Sequence, residues 1–186
     1  MNRQQQAEAL ELMADGIRHC GKCRLCESRT HAVPGEGAAD AAILVVGEGP
    51  GAREDRTGRP FVGRSGRFLD SLLAEIGLDR GSLFITSAVK CRPPGNRTPR
   101  ADELRICREA WLVPQMSCID PELVILLGLT AIRSVLDEAP SLGRVHGDIV
   151  ERDGRRFLLT YHPAAGLRAD DVAERLRADL AVLARV

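Results

Sequence analysis

The chain has 186 residues with 26 basic and 26 acidic side chains, so its formal net charge is zero. That length fits one domain over residues 1–186 with its own core. The neutral balance is not the basic signature that usually accompanies nucleic-acid binding, but it leaves room for a local basic face. Without a membrane-length apolar run or a secretory signal, the six cysteines favour a reducing, cytoplasmic location.

Helical and strand-like patterns alternate along the chain. Helices are predicted over residues 3–16, 64–76, about 100–118, 129–137 and 170–184, and strands over Ala41–Val46, Leu83–Ser87, Leu123–Leu127 and Phe157–Tyr161. Asp153-Gly154 predicts a hairpin turn leading into the last strand. This order is typical of an α/β fold, in which helices cover both faces of a parallel sheet.

Polar motifs follow the predicted strands. Functional groups of open α/β sheets gather at the carboxyl ends of strands. In this chain those ends are residues 47–51, 87–92, 128–130 and 162–164. We therefore expect these segments to converge on one rim of the sheet.

The cysteines form a second pattern. Cys20, Cys23 and Cys26 lie close together in CGKCRLC, Cys91 and Cys107 follow much later, and Cys118 stands apart. A tight pair with two distant cysteines can close a four-thiolate site, and the spacing fits zinc or an iron–sulfur cluster equally well. Some of these residues, Cys118 above all, can instead be ordinary buried side chains.

The glycine-rich turn GEGPG follows the first predicted strand. It matches neither the Walker pattern nor the GxGxxG pattern of nucleotide-binding proteins, which disfavours a nucleotide cofactor. Glu48 in this turn can orient a water molecule, although a single carboxylate can equally be a solvated or capping group. Phe61 lies in a glycine-flanked loop, where a fixed ring serves either as a core plug or as a stacking surface for a base.

Five strings in order, HAVPGEG, VVGEGPGAREDRTGRPFVGRSG, VKCRPPGNRTP, LLGLTA and TYHPA, resemble the signature blocks of family 4 uracil-DNA glycosylases, from Cys20 to about Arg168. The resemblance implies a three-layer α/β/α sandwich, here with a central four-stranded parallel sheet. It also implies a [4Fe–4S] cluster held by Cys20, Cys23, Cys91 and Cys107, which leaves Cys26 and Cys118 as extra cysteines.

The same resemblance implies a DNA-repair hydrolase that removes uracil from DNA and leaves an abasic site, without lyase activity. Its substrate pocket would comprise Gly47, Glu48, Gly49, Phe61, Ser87 and His162. Glu48 would align the attacking water, Phe61 would stack on the flipped uracil, and His162 would donate a hydrogen bond to uracil O2 as negative charge develops on the leaving base.

A further set of residues is expected to contact the DNA. Arg64 and Ser65 open a predicted helix, and Lys90 and Arg97 lie in a Pro/Gly-stiffened loop, where they could meet phosphates. Leu167 could fill the space left by the extruded base, beside Arg168. The expected partner is DNA that contains a damaged base. We expect the protein to act as a monomer and not to associate with a membrane.

Ser87 departs from the family pattern, which usually has Asn at this position in ITSAVKC. One hydroxyl replaces a two-armed amide, so the sequence predicts weaker discrimination or weaker activity. Two alternatives follow: a glycosylase with relaxed or shifted specificity for hypoxanthine or xanthine, and a weakly active DNA-binding module. The family's covalently trapping relatives carry an inserted basic loop, which is absent after Lys90, so covalent trapping is disfavoured.

Overall fold

The computed structural model describes residues 1–185. Its α-helices are α1 (Arg3–Arg18), α2 (Ala52–Thr57), α3 (Arg64–Glu75), α4 (Ala101–Cys107), α5 (Val113–Ile119), α6 (Leu129–Leu136), α7 (Leu142–Val145), α8 (Pro163–Gly166) and α9 (Asp170–Ala181). Short 3₁₀ segments lie at Arg24–Glu27, Arg80–Ser82, Pro94–Asn96 and Val182–Arg185. Its strands are β1 (Glu36–Gly37), β2 (Ile43–Gly47), β3 (Phe84–Ser87), β4 (Leu123–Leu127), β5 (Ile149–Arg152) and β6 (Arg155–Thr160).

Within residues 1–185 the strands form one six-stranded sheet in the order β1-β3-β2-β4-β6-β5. The four inner strands pair in parallel, with Gly47 opposite Ser87 and Leu126 opposite Leu159. The outer strands β1 and β5 pair antiparallel to their neighbours. The predicted central four-stranded parallel sheet is therefore confirmed, and two short edge strands extend it.

Helices cover both faces of this sheet. Alternate residues of β2 point to opposite sides, as the period of a strand requires. Leu44 and Val46 pack into the core beneath α1, α5 and α6. Val45 packs into a second core with Leu69 of α3 and Leu176 of α9. The three-layer α/β/α arrangement is confirmed, whereas the single-domain assignment stays a prediction.

The helix predicted over residues 100–118 contains an irregularity. A π-helical turn, Arg108–Leu112, separates α4 from α5. Pro114 lies one residue beyond the start of α5 and has no N–H to continue the regular α-helical ladder. The hairpin was predicted correctly: Arg152 pairs with Arg155, and both Asp153 and Gly154 have positive φ angles, as a tight hairpin turn requires.

A third, smaller cluster ties the N-terminal segment to the segment after β3. Ile17 and Leu25 pack there against Val89 and Leu104. No helix in the part of the chain that the structure describes is long and apolar enough to cross a membrane.

Candidate active site

A cavity of about 480 Å³ opens where β2, β3 and β6 end. Glu48, Ser87 and His162 reach it from these three strand ends, and Phe61 reaches it from the loop before α3. The volume falls within the range of roughly 300–1,000 Å³ that is usual for small-molecule sites. The predicted convergence of the strand-end motifs on one rim is thus seen in the structure.

Glu48 is held by a residue from the neighbouring strand end. The hydroxyl of Thr130, at the start of α6, donates a hydrogen bond of 2.5 Å to Oε2 of Glu48. The other oxygen, Oε1, makes no hydrogen bond to any residue within 1–185, and Glu48 lines the cavity. The carboxylate is therefore fixed on one side and able to accept a proton or a water hydrogen on the other.

His162 has a defined tautomer. The backbone N–H of Ala164 donates to Nδ1 of His162 at 3.1 Å, so Nδ1 is an acceptor and the proton of the neutral ring resides on Nε2. Burial lowers the pKa of His162 to about 4, assisted by the positive charge of Arg168 and opposed by Glu54. The side chain is a neutral N–H donor at the pH of a cell.

Phe61 adopts a strained backbone conformation. Its φ angle is 50°, in the left-handed region that bulky residues rarely occupy, and its side chain is buried. Two glycines make this placement feasible. A Cβ on Gly47 would lie 2.5 Å from Cζ of Phe61, and a Cβ on Gly66 would lie 1.8 Å from the Phe61 carbonyl oxygen. Gly47 thus acts as the support for the ring rather than as a lining residue.

Ser87 faces the cavity with an unused hydroxyl. The residue is 5 % exposed and lines the cavity, and its Oγ has no hydrogen-bond partner among residues 1–185. The backbone oxygen of Ser87 instead accepts a 2.9 Å hydrogen bond from Nζ of Lys90. The hydroxyl is therefore available to a ligand.

The expectation that Lys90 contacts DNA phosphate is wrong. Its side chain is 1 % exposed, and its ammonium also donates to the hydroxyl of Thr86. Burial lowers the pKa of Lys90 to about 8, although the neighbouring Cys107 and Cys91 oppose this shift. Lys90 is an internal link between the end of β3 and the cysteine-lined region.

The other expected DNA contacts lie at or near the cavity mouth. Arg64 and Leu167 are exposed, and Ser65 and Arg168 line the cavity. Arg97 also lines the cavity, but Glu103 binds its guanidinium through two bonds of 2.7 and 2.8 Å, so its charge is largely compensated. Contacts of these residues with DNA stay predictions.

Gly166 has a packing role that the sequence reading did not anticipate. A Cβ at this position would lie 2.8 Å from the ring of Phe68 and 3.3 Å from the backbone of Ala173. The residue is buried between α3 and α9 and does not line the cavity. A larger side chain there would disturb this packing.

Glu54 is a cavity residue that sequence reasoning missed. It lies in the first turn of α2, is 9 % exposed, and its Oε1 accepts hydrogen bonds from the N–H groups of Val62 (2.9 Å) and Gly63 (2.7 Å). In the sequence it stands in the charged run AREDR, which is typical of a solvated surface. Only the folded loop reveals that its carboxylate is enclosed.

Five of the six cysteines line one small cavity in the third cluster. They are Cys20, Cys23, Cys26, Cys91 and Cys107. The guanidinium of Arg29 donates to Sγ of Cys91 at 3.1 Å, and the indole N–H of Trp111 donates to Sγ of Cys20 at 3.3 Å. Such donors suit sulfur atoms that carry negative charge.

The arrangement of these thiols bears on the choice of metal group. Among residues 1–185, no three His, Cys, Asp or Glu side chains converge as ligands of a single metal ion. A zinc site needs its thiolates about 2.3 Å from one ion, whereas the cysteines of a four-iron cluster bind different iron atoms. The thiols around this cavity are the ligand type that an iron–sulfur cluster takes. Cys118 lies elsewhere, with its Sγ 3.6 Å from the backbone oxygen of Gln6.

The chain is similar to known proteins over most of its length. Residues 34–181 match the model of the uracil DNA glycosylase superfamily. The type-4 uracil-DNA glycosylase of Pyrobaculum aerophilum is 40 % identical over 183 residues, which cover 93 % of this chain and 92 % of that protein. The type-4 enzymes of Thermotoga maritima and Saccharolobus solfataricus are each 41 % identical, covering 87 % and 91 % of this chain and 84 % and 82 % of their own lengths.

Proposed function

The chain belongs to the uracil-DNA glycosylase superfamily, and we propose that it is a monofunctional DNA-repair glycosylase that hydrolyses the bond between uracil and deoxyribose. The resulting DNA carries an abasic site. The observation that carries this proposal is the fixed Nε2–H of His162, a neutral donor in the same cavity as Glu48 and Phe61.

The reaction builds opposite charges on the two fragments. As the glycosidic bond lengthens, its electron pair moves to uracil and positive charge develops on the sugar. The Nε2–H of His162 donates to uracil O2 and stabilises the departing base most strongly when its charge has formed. Because the ring is already neutral and oriented, it needs no proton uptake before the reaction.

Glu48 acts on the other fragment. Its free Oε1 orients a water molecule toward the sugar carbon and takes up the water proton as the new C–O bond forms. Its negative charge also favours the positive sugar in the transition state. Phe61 holds the flipped base by stacking, and the backbone of Gly49 borders the base from the end of β2.

A second specificity is favoured by one observation, the unpartnered hydroxyl of Ser87. A hydroxyl can either donate or accept, so it distinguishes carbonyl from amino groups less well than a fixed amide does. We therefore include relaxed discrimination, extending to hypoxanthine or xanthine, in the proposal. Retention of His162, Glu48 and Phe61 argues against a binding module without activity.

The remaining parts of the proposal concern the cofactor and the setting. Cys20, Cys23, Cys91 and Cys107 would hold a [4Fe–4S] cluster, which would supply a structural link between the N-terminal segment and the loop after β3. We propose that the protein acts as a monomer on DNA containing a damaged base. We also propose that it acts in the cytoplasm, a reducing compartment in which cysteines stay free of disulfides.

Purified protein should be incubated with end-labelled oligonucleotides that carry one U, hypoxanthine, xanthine or C, followed by alkali. We expect cleavage at U, and a loss of about 10² to 10³ in His162→Ala, the usual effect of removing such a donor. Glu48→Gln should also lose activity. Undiminished cleavage in both variants would contradict the proposed roles of His162 and Glu48. Cleavage only at hypoxanthine or xanthine would mean that the substrate base is a purine and not uracil.

A further inference from the structure

The strained backbone of Phe61 must be held in place by its neighbours. A left-handed phenylalanine is unfavourable by itself and persists only when surrounding contacts fix it. Phe61 lines the cavity. Whatever holds its backbone therefore also sets where the ring stands.

Arg80 holds this backbone from outside the cavity. One guanidinium nitrogen donates to the carbonyl of Phe61 at 3.2 Å, and another donates to the carbonyl of Pro60. Arg80 lies in the short 3₁₀ segment before β3, and it is absent from the cavity wall. The Arg80 side chain is only 23 % exposed, so its hydrogen bonds to the two carbonyls are largely shielded from solvent.

Two carboxylates orient the guanidinium. Glu36 of β1 accepts from Arg80 at 3.0 Å, and Asp70 of α3 accepts at 2.9 Å. Burial alone would raise the pKa of Glu36, but hydrogen bonds from Arg59 and Arg80 outweigh this effect and hold it below its ordinary value. Each terminal nitrogen of Arg80 therefore donates both to a carboxylate and to a carbonyl of the loop. One binds Asp70 and the Phe61 carbonyl, and the other binds Glu36 and the Pro60 carbonyl.

Glu54, which lines the cavity, binds the same loop as Arg80. Arg80 binds the carbonyls of residues 60 and 61, while Glu54 accepts from the N–H groups of residues 62 and 63. Charged side chains thus bind the backbone of Phe61, of the residue before it and of the two residues after it. Arg80 does not line the cavity, whereas Glu54 does.

We propose that Arg80 is a positioning residue for base recognition, which acts by fixing Phe61 in its strained, base-stacking conformation. This inference rests on the proposed function, because the stacked ligand is the flipped base. The side chain at this position must donate to two carbonyls and two carboxylates at once. The planar guanidinium of arginine has enough donors for this, whereas the single ammonium of lysine does not.

A purely structural role makes a different prediction. Arg80 also joins β1, α3 and the loop, so its loss could lower stability without any specific effect on stacking. A double-mutant cycle between Arg80→Met and Phe61→Ala separates the two roles, because a residue that acts through Phe61 loses its effect once that ring is removed.

The cycle should be measured by single-turnover release of uracil from a single-stranded oligonucleotide. We expect Arg80→Met to reduce the rate about tenfold to a hundredfold in the wild-type background, the usual worth of a stacked base. In the Phe61→Ala background the same change should cost less than about twofold. Inhibition by free uracil should weaken by a similar factor in Arg80→Met.

Arg155→Met is the matched control. Arg155 is also 23 % exposed, and it likewise binds a backbone carbonyl, of Pro121, and a carboxylate, of Asp120. We expect it to lower the melting temperature without changing uracil release. If Arg80→Met does not fold, Arg80→Lys should replace it and show the same coupling.

Equal losses from the Arg80 change in both backgrounds would overturn the positioning role and leave the proposed function intact. Failure of the wild-type protein to release uracil would instead remove the proposed function, and this inference with it. The two failures are distinguishable because the second is seen without any substitution.

Discussion

The imidazole ring of His162 lies against the ring of Phe61, with centroids 5.7 Å apart and planes inclined by 28°. One ring comes from the end of β6 and the other from the loop before α3. In the proposed reaction, His162 stabilises the leaving base and Phe61 stacks on it. Since the two rings are stacked, we expect a shift of the Phe61 ring also to disturb the His162 donor.

Gly47→Ala tests this dependence without altering either ring. The new methyl group would meet Cζ of Phe61 at 2.5 Å, so the ring must move. We expect uracil release to fall about tenfold to a hundredfold, as misplacement of a substrate-positioning group by about 1 Å can do. Single-turnover assays on a uracil oligonucleotide would measure it.

Gly143→Ala is the control for this substitution. A Cβ at Gly143 would meet only the hydroxyl of Tyr161, at 3.9 Å, and its backbone has no left-handed φ angle. The control should keep full activity. Wild-type activity in Gly47→Ala, with a folded protein, would show that the ring position does not matter for release.

The low pKa of His162 gives a pH prediction. With a pKa of about 4 in the folded protein, His162 stays neutral from pH 9 down to about 5. Uracil release should therefore show no loss from His162 ionisation on acidification through pH 6.5, its ordinary pKa. Nitrogen-15 NMR should report a neutral ring protonated on Nε2, and a titration near 6.5 would contradict the burial effect.

The same shift affects stability, with a definite sign. Between pH 6.5 and about 4 the unfolded chain binds a proton at this position that the folded protein does not bind. The free energy of unfolding should thus fall as pH falls through this window. His162→Gln should reduce the slope, which urea titrations at several pH values would measure.

Much of the fold could be predicted because the inner strands are buried on both faces. Leu123–Leu127 forms a continuous apolar run, and the strand there has the predicted bounds. β1 has only two residues, so it offers no pattern to detect. The π-helical turn lies just before Pro114, and hydrophobic periodicity does not distinguish such a turn from a regular helix.

The site was predictable where strand ends supply it. Ser87 ends β3, Glu48 directly follows β2, and His162 lies two residues beyond the end of β6, so the topology brings them together. Lys90 was assigned wrongly because a lysine in a polar loop usually faces water, and its burial depends on contacts with Thr86 and Ser87. The contacts of Arg80 with the Phe61 loop join segments about twenty residues apart, and no local pattern predicts them.

Thr130→Val removes the hydroxyl that binds Glu48 and keeps the side-chain volume. We expect a loss of roughly threefold to tenfold in uracil release, the usual worth of one hydrogen bond. Thr130→Ser retains the donor and should restore most of the rate. Equal rates in the valine and serine variants would show that the hydroxyl does not position Glu48.

Removal of single cysteines tests the cluster assignment. Wild-type protein should be brown and contain about four iron and four sulfide per chain, and Cys23→Ser or Cys107→Ser should lose most of both. Cys118→Ser is the matched control, because Cys118 is buried but lies apart from the cysteine-lined cavity. Cys26→Ser should also retain iron, because Cys26 is not among the four proposed ligands. Zinc in a colourless wild-type preparation would contradict the cluster.

Ser87→Asn tests how the pocket reads the base. The Ser87 hydroxyl is free and faces the cavity, so it can donate to a carbonyl or accept from an amino group. An amide offers one donor and one acceptor in fixed positions, and it satisfies uracil but not cytosine.

We expect Ser87→Asn to raise uracil release about tenfold to a hundredfold, the worth of a gained hydrogen bond to a buried group. Any release of hypoxanthine, xanthine or cytosine should fall in the same variant. Ser87→Ala controls for the hydroxyl alone and should lower all activities. An asparagine variant that loses uracil activity would mean that the pocket has adapted around serine, and that base discrimination resides in His162 and Phe61.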